Sequence, residues 1–173
     1  MKIVLIGYMG SGKSSVGKKL AAVLGIPFKD IDDEIEKQEG ISIPRIFSEK
    51  GEIYFRKVEN IVLQSILKKT DSFVLATGGG TPCYGDSMKL ILEQEDVTSI
   101  YLKPSLDTLV KRIILEKENR PVVAHLKTEE ELNDFIRKHL FERAYFYNQA
   151  ALIIENGEES VKETVEKIIL KLF

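Results

Sequence analysis

Cysteine and histidine are scarce in this sequence. Its 173 residues include a single cysteine, Cys83, which excludes an internal disulfide and a metal cluster built on cysteine. The two histidines, His125 and His139, lie well apart in the chain, so we do not expect a zinc site. We assign Cys83 no role beyond packing, and we interpret His139 as a core histidine rather than a catalyst.

The sequence also lacks long apolar runs and a strong charge of one sign. No run reaches membrane-spanning length, and the apolar run near the N-terminus, residues 3–6, is too short for a signal peptide. The formal net charge of −2 gives no bulk attraction to nucleic acid or to an anionic membrane. We therefore expect a cytoplasmic protein with no nucleic-acid partner and no membrane partner.

Short apolar segments alternate with amphipathic ones along the chain. A hydrophobic content of 43% and a charged content of 30% are typical of a globular protein, and the length fits one domain over residues 1–173. The periodicity predicts strands at 2–6, 28–30, 72–76, 98–102 and 151–154, and helices at 15–24, 31–38, 52–69, 86–94, 105–114, 128–147 and 160–172, with a short helix after Ser42. This alternation predicts an α/β fold of three layers, in which a largely parallel sheet carries helices on both faces and binds ligands at the carboxyl ends of its strands.

A glycine-rich segment, Gly7-Tyr8-Met9-Gly10-Ser11-Gly12-Lys13-Ser14, joins the first predicted strand to the first predicted helix. Its spacing is typical of a phosphate-binding loop, in which backbone N–H groups and the start of the next helix converge on phosphate oxygens. Lys13 would neutralise the β- and γ-phosphates, and the Ser14 hydroxyl would ligate Mg²⁺. An ordinary glycine-rich turn is the alternative, but the order of strand, loop and helix favours a nucleoside triphosphate site.

Carboxylates that could serve the metal or the reaction occur after the second predicted strand. The predicted strands at 72–76 and 98–102 are not followed by an acid. After the second strand, in contrast, Asp30 and Asp32 are two residues apart. If this segment is extended, both side chains leave the same face, so that one could hold the water shell of the metal and the other could accept a proton. Alternatively, these acids and Asp33 only favour the dipole of the next helix.

Several arginines are candidates for binding anions. Arg143 shares the inward face of the last long helix with Leu132, so that its partner is either a structural acid or an anionic ligand. The spacing of Arg56 favours an exposed pair with Glu52, but two arginines that the phosphates do not need would suit an acceptor with its own carboxylate.

Two further segments are candidate parts of the site. Gly78-Gly79-Gly80, at a strand end, indicates a close approach of the backbone to a ligand or to another segment, or alternatively a tight turn. Residues 116–127 lose periodicity, and we interpret them as a mobile lid whose Arg120 could reach the transferring phosphoryl group, unless this arginine is solvated. Arg112 lies on the polar face of its helix, where it either stacks on adenine or is exposed to solvent.

Together these residues resemble the shikimate kinase family of small P-loop kinases. The similarity runs over essentially the whole chain and rests on six segments in order: the phosphate loop, Asp30-Ile31-Asp32, Phe55-Arg56, Gly78-Gly79-Gly80, Arg120-Pro121 and Glu142-Arg143. The resemblance implies a five-stranded parallel sheet in the order 2-3-1-4-5.

The resemblance also implies roles for particular residues. ATP phosphates would bind Gly10, Ser11, Gly12, Lys13, Ser14 and Ser15, with Arg120 as the lid arginine and Arg112 near the base. Mg²⁺ would bind Ser14 directly and Asp30 through water. Asp32 would activate the 3-hydroxyl of shikimate, Arg56 and Arg143 would bind its carboxylate, and the backbone of Gly79 and Gly80 would meet its ring hydroxyls. Family members often place an arginine after the last strand, where this chain has Glu155-Asn156-Gly157-Glu158, so no charged nucleotide contact carries over there.

We therefore expect an enzyme that phosphorylates shikimate from ATP with Mg²⁺, in the supply of aromatic amino acids, and that acts as a monomer. One alternative is a kinase for another small hydroxylated acid such as gluconate. A second alternative is a nucleotide-binding regulatory module. A guanine-specific switch is disfavoured, because the nearest match to its base-binding motif, Lys69-Thr70-Asp71, ends a helix.

Overall fold

The strands of the protein alternate with helices in a computed structural model that describes residues 1–116 and 121–173. The strands are β1 Lys2–Ile6, β2 Phe28–Asp30, β3 Phe73–Ala76, β4 Val97–Lys103 and β5 Leu152–Glu155. They pair in parallel throughout, in the order β2-β3-β1-β4-β5. The predicted fold class and the strand order implied by the resemblance are both confirmed.

The helices of the described residues connect successive strands. They are α1 Lys13–Leu24, α2 Ile31–Glu39, α3 Ile43–Leu67, α4 Ser87–Leu92, α5 Leu106–Glu116, α6 Pro121–Ala124, α7 Glu129–Tyr147 and α8 Val161–Leu172, with a 3₁₀ turn at Thr81–Cys83. None of these helices is long and apolar enough to cross a membrane.

Alternate residues of the central strands face two separate apolar layers. Ile3 and Leu5 of β1 pack with α1 and α8, whereas Val4 and Ile6 pack on the other face with α2, α3, α4, α5 and α7. This division follows from the period of two in a strand, and it explains why the central strands read as continuous apolar runs. The sheet therefore lies between two helical layers, and its carboxyl edge stays open for a site.

Most predicted boundaries agree with the structure to within about two residues, and three differences bear on the site. Helix α1 begins at Lys13 rather than near residue 15, because Gly12 already ends the loop. The short helix after Ser42 and the helix predicted at 52–69 form one element, α3, which is interrupted at Gly51 (φ 83°, ψ 171°). Part of the segment predicted as a mobile loop is helical, since α6 occupies Pro121–Ala124. The lid arginine, Arg120, lies outside the described residues.

Helix α7 carries Arg143, and Thr128 caps its N-terminus. The Thr128 side chain accepts a hydrogen bond from the backbone N–H of Glu131, and the Glu131 carboxylate accepts one in return from the Thr128 N–H. This reciprocal arrangement satisfies two donors that a helix N-terminus otherwise leaves unpaired.

We predict that Thr128→Ala lowers the free energy of unfolding by about 1 kcal/mol, the usual cost of removing a threonine cap. Urea denaturation followed by circular dichroism measures this difference. Thr128→Ser is the control, because it keeps the oxygen and should stay close to the wild type. Equal stability of the alanine variant would show that the cap does not support α7.

Candidate active site

A cleft of about 540 Å³ opens at the carboxyl edge of the sheet. Its walls come from segments that follow different strands, as expected for a parallel α/β fold. They include Gly10, Gly12, Lys13, Ser14, Ser15, Asp30, Asp32, Gly78, Gly79 and Arg112, together with Asn156, whereas the predicted residues Ser11, Arg56, Gly80 and Arg143 do not line it. The fold thus brings segments that are distant in sequence into one site.

The phosphate-loop segment forms a tight turn around the start of α1. Gly10 (φ 78°) and Gly12 (φ 94°) adopt left-handed backbone conformations that a side chain would disfavour. The Lys13 ammonium is buried and donates to the carbonyl oxygens of Gly7 at 2.8 Å and Tyr8 at 2.9 Å. The loop therefore has the glycine-dependent turn and the lysine that a polyphosphate site needs.

Ser14 and Asp30 form a direct pair at the edge of the loop. The Ser14 hydroxyl donates to Asp30 Oδ2 at 2.8 Å, while Asp30 Oδ1 accepts from the backbone N–H of Asp32 at 3.1 Å. Asp30 is thus the N-cap of α2 as well as a candidate metal group. Hard oxygen donors of this kind suit Mg²⁺, which commonly keeps several waters and binds one or two protein groups.

The premise that Asp30 and Asp32 share an extended segment is wrong. Strand β2 ends at Asp30, and Asp32 lies in the first turn of α2, as does Asp33. The alternative that these acids favour the helix dipole is therefore correct for their backbone positions. Both Asp30 and Asp32 nevertheless line the cleft, because the turn from strand to helix directs them there.

Asp32 has the most perturbed acidity in the cleft. Although Asp32 is solvent-exposed at the surface of the cleft, desolvation by the surrounding protein, with the charges of Asp30 and Glu59 as lesser causes, raises the pKa of Asp32 to about 6 from an ordinary 3.8; Lys13 acts in the opposite direction. A carboxylate with a pKa in this range is a better proton acceptor than an ordinary aspartate and remains ionised at neutral pH.

Arg56 has a closer partner in addition to the one favoured by its spacing. Its Nε forms the predicted ion pair with Glu52 at 3.7 Å, beyond hydrogen-bond distance, while its Nη1 donates to Glu59 Oε2 at 2.8 Å. Glu59 is only 2% exposed, and its other oxygen accepts from the Thr81 hydroxyl at 2.7 Å. The guanidinium also lies over the Tyr84 ring, 3.9 Å from its centroid. Arg56 is therefore held in a buried network and is not an exposed surface charge.

Arg143 faces inward, as predicted. Its guanidinium lies 5.7 Å from the centroid of the Tyr8 ring and within reach of Tyr147, one turn further along α7. Among the described residues, no carboxylate forms an ion pair with it. This arginine therefore keeps its charge available to an anion beside Gly79, which borders the cleft.

The three glycines after β3 contact most of these groups in turn. A methyl group built at Gly78 would lie 3.6 Å from Asp32 Oδ1, one at Gly79 would lie 3.5 Å from Arg143 Nη1 and 3.2 Å from the Met9 nitrogen, and one at Gly80 would lie 2.7 Å from Arg56 Nη2. The interpretation of a close approach is therefore correct for this loop, and the protein itself provides the neighbours.

Arg112 and Asn156 link the phosphate loop to the end of the sheet. Arg112 donates to the carbonyl oxygens of Gly10 at 3.1 Å and Gly157 at 2.7 Å, so it is not the solvated arginine of the alternative interpretation. Asn156 is buried, and its Nδ2 donates to the Ser11 carbonyl at 2.8 Å. A contact of Arg112 with adenine stays a prediction.

Sequence reasoning missed Glu59 as part of the site. It lies four residues after Phe55 and three before Val62, on the apolar stripe of α3, and an acid in such a position indicates a buried ionic partner. The pairing of the Tyr8 hydroxyl with His139 Nδ1, at 2.9 Å, was not predicted either.

This sheet order, with a phosphate loop after the first strand and an acidic pair after the second, defines the chain as a P-loop kinase in fold. A model of one family, described as shikimate kinase, matches residues 9–173. The chain belongs to the shikimate kinase family.

Individual relatives agree with this assignment. The chain is 44% identical to a shikimate kinase of Flavobacterium johnsoniae over 97% of this chain and 96% of the relative. The crystal structure of shikimate kinase from Bacteroides thetaiotaomicron superposes with a TM-score of 0.89 at 33% identity, covering 99% of this chain and 98% of the other. Shikimate kinase from Acinetobacter baumannii in complex with shikimate gives a TM-score of 0.86 at 32% identity, covering 99% and 92% of the two chains.

The acidity of Asp32 predicts a pH-dependent cost in stability. Because its folded-state pKa of about 6 exceeds the ordinary 3.8, ionised Asp32 destabilises the native state, and this cost disappears as the pH falls through that interval. We expect Asp32→Asn to melt at a higher temperature than the wild type at about pH 8, with the difference shrinking towards about pH 4.

Thermal melts across this pH range measure the difference, with Asp33→Asn as the matched control from the same helical turn. A gain in Asp32→Asn that does not depend on pH would contradict a raised pKa.

Proposed function

We propose that this protein transfers the γ-phosphoryl group of ATP to the 3-hydroxyl of shikimate, giving shikimate 3-phosphate and ADP. One observation carries the proposal: the side-chain positions of Gly78, Gly79 and Gly80 point, in that order, at a carboxylate of raised pKa and two arginines, and that of Gly79 also points at the phosphate loop. An acceptor lying on this loop would meet a base, an anion-binding pair and the phosphoryl donor at once. The shikimate complex of the A. baumannii relative supports the choice of acceptor.

On the donor side, backbone N–H groups from Gly10 to Ser15 would bind the phosphates of ATP. Lys13 would leave the carbonyl oxygens that it now contacts and neutralise the β- and γ-phosphates. Arg112, beside Gly10 and Gly157, would contact the base.

The Ser14 hydroxyl and, through water, the Asp30 carboxylate would hold Mg²⁺, as their contact at the loop edge suggests. When bound, this metal supplies charge neutralisation on the phosphates. The residues present fit the metal, because both groups provide oxygen donors.

On the acceptor side, Arg56 and Arg143 would bind the carboxylate of shikimate. The planar guanidinium matches a carboxylate with paired hydrogen bonds, and the burial of Glu59 keeps Arg56 oriented for this role. The backbone of Gly79 and Gly80 would meet the ring hydroxyls.

Asp32 would act on the reacting hydroxyl. As the 3-oxygen of shikimate forms its bond to the γ-phosphorus, its proton passes to the Asp32 carboxylate, and the bond from the γ-phosphorus to the bridging oxygen breaks to release ADP. Positioning and charge neutralisation provide most of the rate in such transfers. Arg120, outside the described residues, is proposed to stabilise the transferring group from a lid.

The direct test of this function is ADP release measured with and without shikimate. A kinase for shikimate releases ADP only with this acceptor, whereas a kinase for another acid responds to gluconate instead. A regulatory module would bind ATP without acceptor-dependent release of ADP. The proposed monomeric state and cytoplasmic location need separate measurements, by light scattering and by fractionation of cells.

We predict that Asp32→Asn retains ATP binding but loses turnover by roughly 10²-fold or more, as is typical for removal of a general base. The wild type should also lose kcat/KM as the pH falls below about 6, because Asp32 becomes protonated there. Steady-state ADP release and calorimetric titration with ATP measure the two effects.

Asp33→Asn is again the control and should turn over like the wild type. If the two variants behaved alike, Asp32 would not be the proton acceptor.

We predict that Gly80→Ala raises the KM for shikimate about tenfold while leaving the KM for ATP nearly unchanged. The new methyl group would lie 2.7 Å from Arg56 Nη2, so the guanidinium must move away from its present position. Loss of one charged hydrogen bond to the acceptor accounts for a change of about this size.

The control is the same substitution in an Arg56→Ala background. There it should add little, because the arginine that it displaces is gone. An equally large further effect would mean that Gly80 acts on the acceptor by another route.

A further inference from the structure

Tyr147 is a large, buried polar side chain beside the proposed acceptor site, and none of the roles described above uses it. It is the last residue of α7, is fully buried, and packs its ring against Tyr101 with centroids 5.1 Å apart. Its hydroxyl donates to the carbonyl oxygen of Gly79 at 2.5 Å. The C-terminus of α7 is thereby tied to the middle of the glycine loop.

Arg143 lies against the same glycine. The two residues are four apart on α7, and therefore on one side of the helix; Arg143 Nη1 is 3.5 Å from the position of a methyl group built at Gly79, whose carbonyl oxygen the Tyr147 hydroxyl binds. Burial raises the pKa of Tyr147, with the charge of Arg143 opposing this, so the hydroxyl keeps its proton. Its proton is given to Gly79, and its lone pairs remain available to the guanidinium.

This arrangement links the two parts of the acceptor site that are proposed to bind different groups. Arg143 would bind the carboxylate, and the backbone of Gly79 would meet the ring hydroxyls. The hydroxyl oxygen of Tyr147, held by a rigid aromatic ring, bonds to Gly79 on the same side of α7 as Arg143. The distance between the anion site and the hydroxyl site is therefore set by the tyrosine and not by the long, flexible arginine alone.

We propose that Tyr147 is a positioning residue that fixes Arg143 relative to the glycine loop and so determines which carboxylate-bearing acceptors fit the site. This inference rests on the proposed function. It predicts that acceptors are selected by the separation between their carboxylate and their hydroxyl groups, because a fixed guanidinium and a fixed loop accommodate one separation best.

Tyr147→Phe tests the proposal, since it keeps the ring and removes only the hydroxyl. We expect the KM for shikimate to rise about tenfold, as for the loss of a hydrogen bond to a charged group, with a smaller fall in kcat and little change in the KM for ATP. For the methyl ester of shikimate, which lacks the anion, the ratio of variant to wild-type kcat/KM should stay close to one.

Two comparisons separate positioning from simple packing. Tyr145→Phe is the matched control, because this tyrosine lies on the same helix and is 75% exposed, and it should leave all constants unchanged. Tyr147→Phe added to Arg143→Ala should cause little further loss, whereas a packing defect would lower kcat/KM by the same factor in both backgrounds.

An unchanged KM for shikimate in Tyr147→Phe, or losses that multiply in the double variant, would overturn the proposal while leaving the proposed function intact. A wild-type protein that releases no ADP with shikimate would overturn both. If Tyr147→Phe does not fold, Arg143→Lys is measured instead, because it keeps the charge but loses the planar guanidinium. We expect it to lower the ratio of kcat/KM for shikimate to kcat/KM for its methyl ester. An unchanged preference would contradict the inference.

Discussion

The buried carboxylate of Glu59 is the charge on which the rest of the site depends. It holds Arg56 at 2.8 Å, accepts from Thr81 beside the glycine loop, and adds to the negative potential that raises the pKa of Asp32. Removing one member of such a pair leaves an uncompensated buried charge, so replacing either Glu59 or Arg56 alone should destabilise the site. Glu59 therefore affects both the position of the Arg56 guanidinium and the pKa of Asp32. A substitution at Glu59 should change both of them together.

Much of the fold and part of the site could be predicted from the sequence, for physical reasons that differ between residues. The phosphate loop is local, since its glycines and its lysine occur within eight residues, and its conformation follows from them. Asp30 and Asp32 were predicted together, but on a wrong premise, because a short strand that ends in a helix cap cannot be told from a longer strand by alternation alone. The phosphate loop and the Asp30–Asp32 segment are both too short for hydrophobic periodicity to predict their secondary structure.

The partners of the arginines could not be predicted, since they depend on burial and on contacts across the fold. Arg56 pairs with acids at helical spacing on both sides, Glu52 at 3.7 Å and Glu59 at 2.8 Å, and the spacing does not tell that the closer one, Glu59, is buried. Arg112 bonds to carbonyl groups that lie 102 and 45 residues away in the sequence. Every residue has a backbone carbonyl group, so the sequence does not indicate which one an arginine will bind. Contacts of this kind can be identified only from the three-dimensional structure.

The pairing of β1 has a consequence for how the protein is made. Lys2 in this first strand pairs with Phe73 and Val97. The centre of the sheet therefore cannot form until more than half of the chain has been synthesised. Contacts of such long sequence separation form slowly, since they must overcome the entropy of closing large loops. The acceptor groups are spread still further, from Asp32 to Tyr147, and α7 is the last of their elements to be synthesised. A chain still emerging from the ribosome can therefore fold its phosphate loop without yet having a place for the organic acid.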